Sequence, residues 1–269
     1  MRWNPTATGR DLRRNKGKNR EKRMSQVMNQ YRESLSNAHT IFRKELASYF
    51  NSAIAYVVLV VFLAIVGWFH ASNVFLANVA SLRLMFEIIP AVYLFVVPAI
   101  TMRLLSEERK SGTIELLVTK PLHDADIVLG KFFAAWALVG AALLPTLIFY
   151  GTIAVLGDVD HGPIIGGYLG LFLMGGVYVA IGLFASSLTE NQVVAFIIGF
   201  VFVFALFMLD KVLFYMPVWL MGVLEYISID YHFSNITRGV IDTRDIVYFL
   251  SVLGLSLYLT VVSLARRKM

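Results

Sequence analysis

Long uncharged tracts constrain this sequence more than any other feature. Five tracts contain no Asp, Glu, Lys or Arg: residues 53–69, 132–157, 162–189, 191–209 and 246–265. A sixth tract is interrupted only by Glu87. A helix of about 20 apolar residues crosses a hydrocarbon core of about 30 Å. The tracts therefore predict an all-α polytopic membrane protein with six transmembrane helices, at residues 53–69, 85–102, 130–156, 166–188, 191–209 and 246–265.

The composition also favours burial in lipid. Apolar residues make up 58% of the chain and charged residues 16%, against about 45–50% and about 25% in soluble domains. The chain contains no cysteine, which excludes disulfides, thiolate metal sites and a cysteine nucleophile.

Positive charge is concentrated at the N-terminus. Residues 1–35 contain ten Lys or Arg and three Asp or Glu. We expect them to form a disordered cytoplasmic tail, and we expect residues 36–266 to form the transmembrane domain. Binding of anionic lipid or nucleic acid is the alternative role for the tail, although we expect no nucleic-acid partner. A start at Met24 or Met28 would give a shorter N-terminus.

The distribution of Lys and Arg predicts the orientation of the spans. With the N-terminus inside, the cytoplasmic segments contain twenty of the twenty-four Lys and Arg residues. The outer segments contain only Arg83, Lys211, Arg238 and Arg244. We therefore expect a multi-pass membrane protein with both termini in the cytoplasm.

Two shorter segments are predicted to lie at the bilayer surfaces. Residues 36–50 predict an amphipathic helix at the cytoplasmic surface, the alternative being an extension of the first span. Glu45 interrupts its apolar arc. Residues 212–224 are apolar, contain Pro217 and are too short to span easily, which predicts a re-entrant outer hairpin between helices five and six. The apolar arc of the first segment consists of Ala38, Ile41, Phe42, Leu46 and Tyr49.

Recognisable motifs for catalysis are missing from the sequence. It has no phosphate-binding loop, no nucleophile elbow and no histidine pair at a metal-ligand spacing. A weak metal site at His161 with Asp158 and Asp160 is the alternative to an ordinary polar turn. Glu87 begins the second span, where the interface can solvate it, so a secondary carrier is disfavoured. We expect no catalytic residue, no metal site and no enzyme activity.

The most polar part of the membrane region is residues 103–131. Residues 103–110 continue the second span with mixed charges, Gly112 interrupts the helix, and Pro121 ends a second short helix. A short helix with an apolar stripe and flanking charges suits docking into a groove of a partner protein. A helix that lies against lipid headgroups is the alternative interpretation.

Four stretches resemble known permeases. The run PAITMRLLSEERKSGTIELLVTKPL, residues 98–122, resembles the segment between helices two and three of ABC-2 type permeases, and the likeness covers residues 36–266. FRKELASYFNSAIAYVV, IGLFASSLTENQVVAF and IDYHFSNITRGVIDTRDIVYFLSV are, with that run, most similar to the gliding-motility-associated ABC permease of the Bacteroidetes group. Residues 1–35 depart from that permease.

The resemblance implies the membrane-spanning subunit of an ATP-driven exporter. A separate ATP-binding subunit would bind ATP and Mg²⁺, so this chain would hold no cofactor itself, and a second permease copy or a related membrane subunit would complete the assembly. A coupling helix would dock on the ATP-binding subunit. The predicted docking and coupling residues are Glu107, Glu108, Arg109, Lys110, Gly112, Thr113, Glu115 and Pro121.

A membrane scaffold is the alternative function. In that interpretation the chain anchors an ATPase to motility or envelope machinery without transporting a substrate. The outer loop between residues 230 and 245 would then bind an exported partner, whereas a simple polar turn is the other interpretation of that loop. Its candidate residues are Asn235, Arg238, Asp242, Arg244 and Asp245.

Overall fold

The predicted all-α fold class is confirmed. The computed structural model describes residues 23–24, 34–76, 81–112, 123–157, 159–212, 215–240 and 242–266, and all regular structure within these ranges is helical. The longer helices are α1 (34–50), α2 (Ala53–Leu76), α3 (Arg83–Lys110), α4 (Asp124–Leu156), α5 (His161–Leu188), α6 (Gln192–Val212), α7 (Val218–Ile227), α8 (Ile229–Thr237) and α9 (Thr243–Ala265).

Six of these helices are long and apolar enough to cross a membrane, namely α2 to α6 and α9. Each of the six predicted spans therefore corresponds to a described helix that is long and apolar enough to cross a membrane. Several helices extend beyond the apolar tracts because polar side chains cap their ends. The carboxylates of Asp160 and Asp242 accept hydrogen bonds from the second backbone N–H of α5 and α9, respectively, and His123 forms a capping box with Asp126 at the start of α4.

Helix α5 forms the centre of the bundle. Of its most apolar 18-residue stretch, 78% is buried, against 17% for α6 and for α9. Glycines allow neighbouring elements to approach it closely. A Cβ at Gly166 would overlap the backbone carbonyl oxygen of Ile236 in α8, and a Cβ at Gly182 would overlap the hydroxyl of Thr101 in α3. Small residues provide this kind of contact between helices in a membrane.

Two spans contain local irregularities that follow prolines. In α4 the segment Leu144–Thr146 forms a 3₁₀ turn around Pro145, which agrees with the loss of a backbone donor. The hydroxyl of Tyr168 in α5 donates to the carbonyl of Thr146 at 2.9 Å. In α3 a turn at Met102 separates two α-helical parts, four residues after Pro98.

Helix α1 is separate from the first span, because a turn at residues 51–52 intervenes and Ser52 caps the start of α2. Its predicted apolar residues are half-buried, whereas Arg43 and Lys44 are exposed. Ala38 and Ile41 pack against Gly130 in α4. The amphipathic pattern therefore faces the bundle, and the position of α1 at a membrane surface stays a prediction.

The predicted outer hairpin contains two short helices, α7 and α8, joined at Ser228, whose hydroxyl accepts from the backbone N–H of Tyr231. Ile236 and Phe233 of α8 pack onto glycines of α5. Re-entry into the bilayer stays a prediction. Most of the basic tail and the residues predicted to form a short helix after Gly112 lie outside the described residues.

Gly166→Ala should destabilise the protein by about 1–3 kcal/mol, because the carbonyl of Ile236 belongs to the backbone and cannot rotate away from the added carbon. Gly254→Ala in α9 is the matched control, since nothing lies within 4 Å of that position. The control should be neutral or stabilising by up to about 1 kcal/mol. Thermal unfolding in detergent would measure both, and equal effects would contradict the close approach.

Candidate functional site

A buried lysine joins three helices at the predicted cytoplasmic end of the bundle. Lys131 Nζ in α4 lies 2.9 Å from Glu45 Oε1 in α1 and 2.8 Å from Glu108 Oε1 in α3. The lysine side chain is 2% exposed and each glutamate side chain 17%. We call Glu45, Lys131 and Glu108 the buried charge triad.

The local sequence explains how the buried charge triad assembles. Gly130 precedes Lys131 and lets α1 approach α4, because a Cβ there would lie 2.7 Å from Cβ of Ile41. Glu45 lies four residues after Ile41 on the same face of α1, so it reaches the lysine. Glu45 interrupts the apolar arc of α1, and its carboxylate is directed at a buried cation.

The triad strongly constrains the relative positions of the three helices. Burial removes the lysine and both carboxylates from most of their contact with water, and this desolvation costs a large free energy. That cost is offset only while both ion pairs persist, because loss of one partner leaves a buried charge uncompensated. Movement of Arg103–Lys110, the last part of α3, should therefore be accompanied by movement of α1 and α4.

Further contacts hold α3 next to the triad. Arg103 and Glu107 form a two-pronged ion pair, with N···O distances of 2.9 and 3.1 Å. Tyr49 of α1 donates to the carbonyl of Ile100 at 3.2 Å. Burial, and secondly the Glu45 carboxylate, raise the pKa of the Tyr49 phenol well above its ordinary value, so it remains a neutral donor. A cavity of about 170 Å³ lies beside these side chains.

Ser186 near the end of α5 stabilises the irregular turn in α3. Its hydroxyl accepts from the backbone N–H groups of Leu105 and Ser106, both at 3.1 Å, and donates to the carbonyl of Met102 at 2.9 Å. Ser106 also donates to that carbonyl. One side chain thus bonds several backbone groups at this interruption.

The predicted docking residues divide into two groups in the structure. Glu107, Lys110 and Gly112 are exposed, whereas Glu108 and Arg109 are half-buried. Gly112 has a φ of 70°, which an L side chain rarely adopts. Thr113, Glu115 and Pro121 lie outside the described residues, so their predicted role stays a prediction.

The five predicted outer-loop residues line one cavity of about 280 Å³ beside α8, but they differ in exposure. Arg238, Asp242 and Arg244 are exposed, and Asn235 is half-buried within α8. Asp245 is 3% exposed, and its Oδ1 lies 2.6 Å from Nδ1 of His232. Asp245 therefore contacts the protein interior, and the predicted binding of a partner by these residues stays a prediction.

A large cavity, here called the large outer cavity, opens beside the hairpin helices α7 and α8. Its volume is about 960 Å³, and its walls come from α3, α4, α5, α6 and the two hairpin helices. Much of its charge is paired internally. Arg83 contacts Glu87 at 3.1 Å, and Lys211 contacts Asp230 at 2.6 Å and Asp210 at 3.4 Å.

Sequence reasoning missed Lys131, Glu45, Ser186 and His232 as site residues. A signal was present for two of them, since Glu45 interrupts an apolar arc and Lys131 falls inside a predicted span. His232 gave no such signal, because the five histidines are scattered along the sequence. Within the part of the chain that the structure describes, no group of three or more His, Cys, Asp or Glu is placed to hold a metal.

Comparison with known proteins identifies relatives of the chain. Residues 21–267 match the family model described as "ABC-2 family transporter protein". The chain is similar to "Probable multidrug ABC transporter permease YbhR" of Escherichia coli strain K12 and of E. coli O157:H7, with 32% identity to each over 138 residues. The aligned region covers 50% of this chain but only 37% of each relative.

Lys131→Met should lower the free energy of unfolding by about 3–5 kcal/mol, because it removes the cation that pairs with both largely buried carboxylates. Arg83→Met is the matched control. It removes an exposed pair with Glu87 and should change stability by about 1 kcal/mol or less. Thermal unfolding in detergent would measure both, and a Lys131→Met variant as stable as its control would contradict a tightly paired triad.

Proposed function

The chain belongs to the ABC-2 family of transporter proteins, and we propose that it is the membrane-spanning permease subunit of an ATP-driven exporter. In this proposal the chain does not hydrolyse ATP. A separate ATP-binding subunit binds ATP and Mg²⁺, and its closure shifts the six spanning helices between two arrangements. The aligned region spans only 37% of each curated relative, so we propose transport by this chain rather than infer it from those relatives.

The buried charge triad is the observation that most supports this function. It joins α1, α3 and α4 shortly before the chain reaches Gly112 and the predicted coupling segment. A force on that segment would reach these helices through direct ion pairs. Because separation of the pairs would leave buried charge uncompensated, the helices respond together.

The docking residues then have different roles. Glu107 and Lys110 are exposed and would contact the ATP-binding subunit together with Thr113, Glu115 and Pro121 of the same segment. The terminal guanidinium nitrogens of Arg109 are buried, so Arg109 would support the segment from within. Glu108 instead contacts Lys131, so its role would be to transmit movement into the bundle. Complementary charge would set the register of the docked subunits.

We place the exporter in the bacterial plasma membrane with both termini in the cytoplasm, paired with a second permease copy or a related membrane subunit. The likeness of residues 229–252 to the gliding-motility-associated permease supports a role in gliding motility. Deletion of the gene in the native host, with restoration by the wild-type chain, tests that role. Normal gliding after deletion would exclude it.

Co-purification from the native host tests the central proposal. The chain is extracted in mild detergent, every bound protein is identified by mass spectrometry, and ATPase activity is measured. An ATP-binding subunit that is lost when Glu107 and Lys110 are both changed to Ala supports the permease function. A chain that purifies folded but without an ATP-binding subunit contradicts it. A bound ATPase without any transport would favour the membrane scaffold.

Gly112→Pro should leave membrane insertion unchanged but reduce permease-dependent ATPase activity by about tenfold or more. Proline cannot adopt the positive φ of this position, so the coupling segment would leave α3 in a different direction. Gly112→Asn is the matched control, because asparagine tolerates left-handed backbone and nothing lies within 4 Å of the position. If both variants keep wild-type ATPase activity in liposomes, Gly112 has no part in coupling.

A further inference from the structure

A buried histidine connects the outer hairpin to the last span. His232 in α8 is 1% exposed. Its Nδ1 lies 2.6 Å from Oδ1 of Asp245 in α9, and its Nε2 lies 3.0 Å from the backbone carbonyl oxygen of Tyr226 in α7. One imidazole ring therefore contacts both short helices and the start of the last span.

The partners of this ring determine how many protons the site must hold. The Tyr226 carbonyl can only accept, so Nε2 must carry a hydrogen to bond it. The Asp245 carboxylate is also an acceptor when ionised, so Nδ1 needs a second hydrogen. A neutral imidazole with an ionised Asp245 has only one hydrogen for these two contacts. Both bonds exist together only when the His232–Asp245 pair holds one additional proton.

We propose that His232 and Asp245 form a proton-dependent latch that holds α7 and α8 against the start of α9. When the additional proton is present, the ring donates to Asp245 and to Tyr226, and the hairpin is fixed. When the proton leaves, one ring nitrogen presents a lone pair to an acceptor oxygen, and one contact of the latch breaks. The latch is therefore closed at low pH and opens as the pH rises.

Neighbouring contacts favour the arrangement with a charged ring and an ionised aspartate. The ring of Tyr248 stacks on the imidazole, with centroids 3.9 Å apart and planes inclined by 19°, a geometry that favours a cation. Asp245 lies in the first turn of α9, where the helix dipole favours a negative charge. Its Oδ2 is buried and has no hydrogen-bond partner among the described residues, so its ionised form depends on His232.

Other charged and titratable groups surround the pair. They lie on the elements around the ring and on the walls of the two cavities beside the hairpin: Glu225 and Tyr226 on α7, Asp230 and Tyr231 on α8, Arg238 in the following turn, Asp242, Arg244 and Tyr248 at the start of α9, Tyr178 on α5, and Lys211 on α6. Lys211 pairs with Asp230 at 2.6 Å. That second tether holds the start of α8 to α6 when the latch opens.

Opening of the latch would act on the large outer cavity. Asp230, Tyr231, Phe233, Ser234 and Thr237 of α8 form one of its walls. Looser attachment of α8 would therefore change the shape and access of that cavity. This inference depends on the contacts of His232 and holds whether or not the chain is a permease.

Hydrogen–deuterium exchange tests the latch in the full chain, reconstituted in lipid nanodiscs and measured at several values between about pH 5 and pH 9, where an imidazole can change charge. At each pH, wild type is compared with Asp245→Asn, so that the intrinsic pH dependence of exchange cancels. The asparagine amide can donate to Nδ1 of a neutral ring while Nε2 still donates to Tyr226. This variant should keep α8 protected at every pH.

In the wild type, exchange in Ile229–Thr237 should become at least about tenfold faster than in D245N as the pH rises, through a one-proton transition. Exchange in α5 should not change. Asp242→Asn is the matched control, since it keeps the helix cap and does not contact the ring, and it should behave as the wild type. His232→Gln should show fast exchange at every pH. A wild type without a transition, or a transition that persists in D245N or H232Q, would overturn the latch.

Discussion

The close approach of neighbouring helices to α5 is the constraint on which the bundle depends. Lipid tails are as apolar as the side chains that face them, so spans associate through van der Waals contact and polar bonds between helices. Glycines on α5 let α8 and α3 approach at opposite ends, and Ser186 bonds the freed amides of α3. These contacts fix α3 and α8, which carry Glu108 and His232, relative to one common helix.

Much of the fold could be predicted from the sequence, because the membrane makes it unfavourable to place charges within spans. Five uncharged tracts, and a sixth interrupted only by Glu87, located the six described helices that are long and apolar enough to cross a membrane. The ends were less accurate. Helix α3 continues to Lys110 and α5 begins at His161, beyond the apolar tracts, since caps and ion pairs stabilise helical turns that hydropathy does not detect.

The polar sites were harder to predict, because their partners are distant in the sequence. Glu45 and Lys131 are 86 residues apart, and Ser186 bonds an amide 81 residues away. Asp245 was predicted as a candidate residue of a partner-binding outer loop, and in the structure it is buried against a histidine. From the sequence alone, a polar residue in a short segment between two spans is expected to be exposed to solvent. Its burial depends on how α8 folds back onto α5, which no local pattern contains.

The interruption of α3 at Met102 has a geometric consequence. The helical part Arg103–Lys110 has eight residues, so it is a lever arm of about 12 Å at 1.5 Å per residue. A tilt of about 10° at Met102 would displace the far end of that arm by about 2 Å, roughly two-fifths of a helical turn. A small rotation at Met102 therefore moves the far end of this arm by a distance on the scale of a side-chain contact.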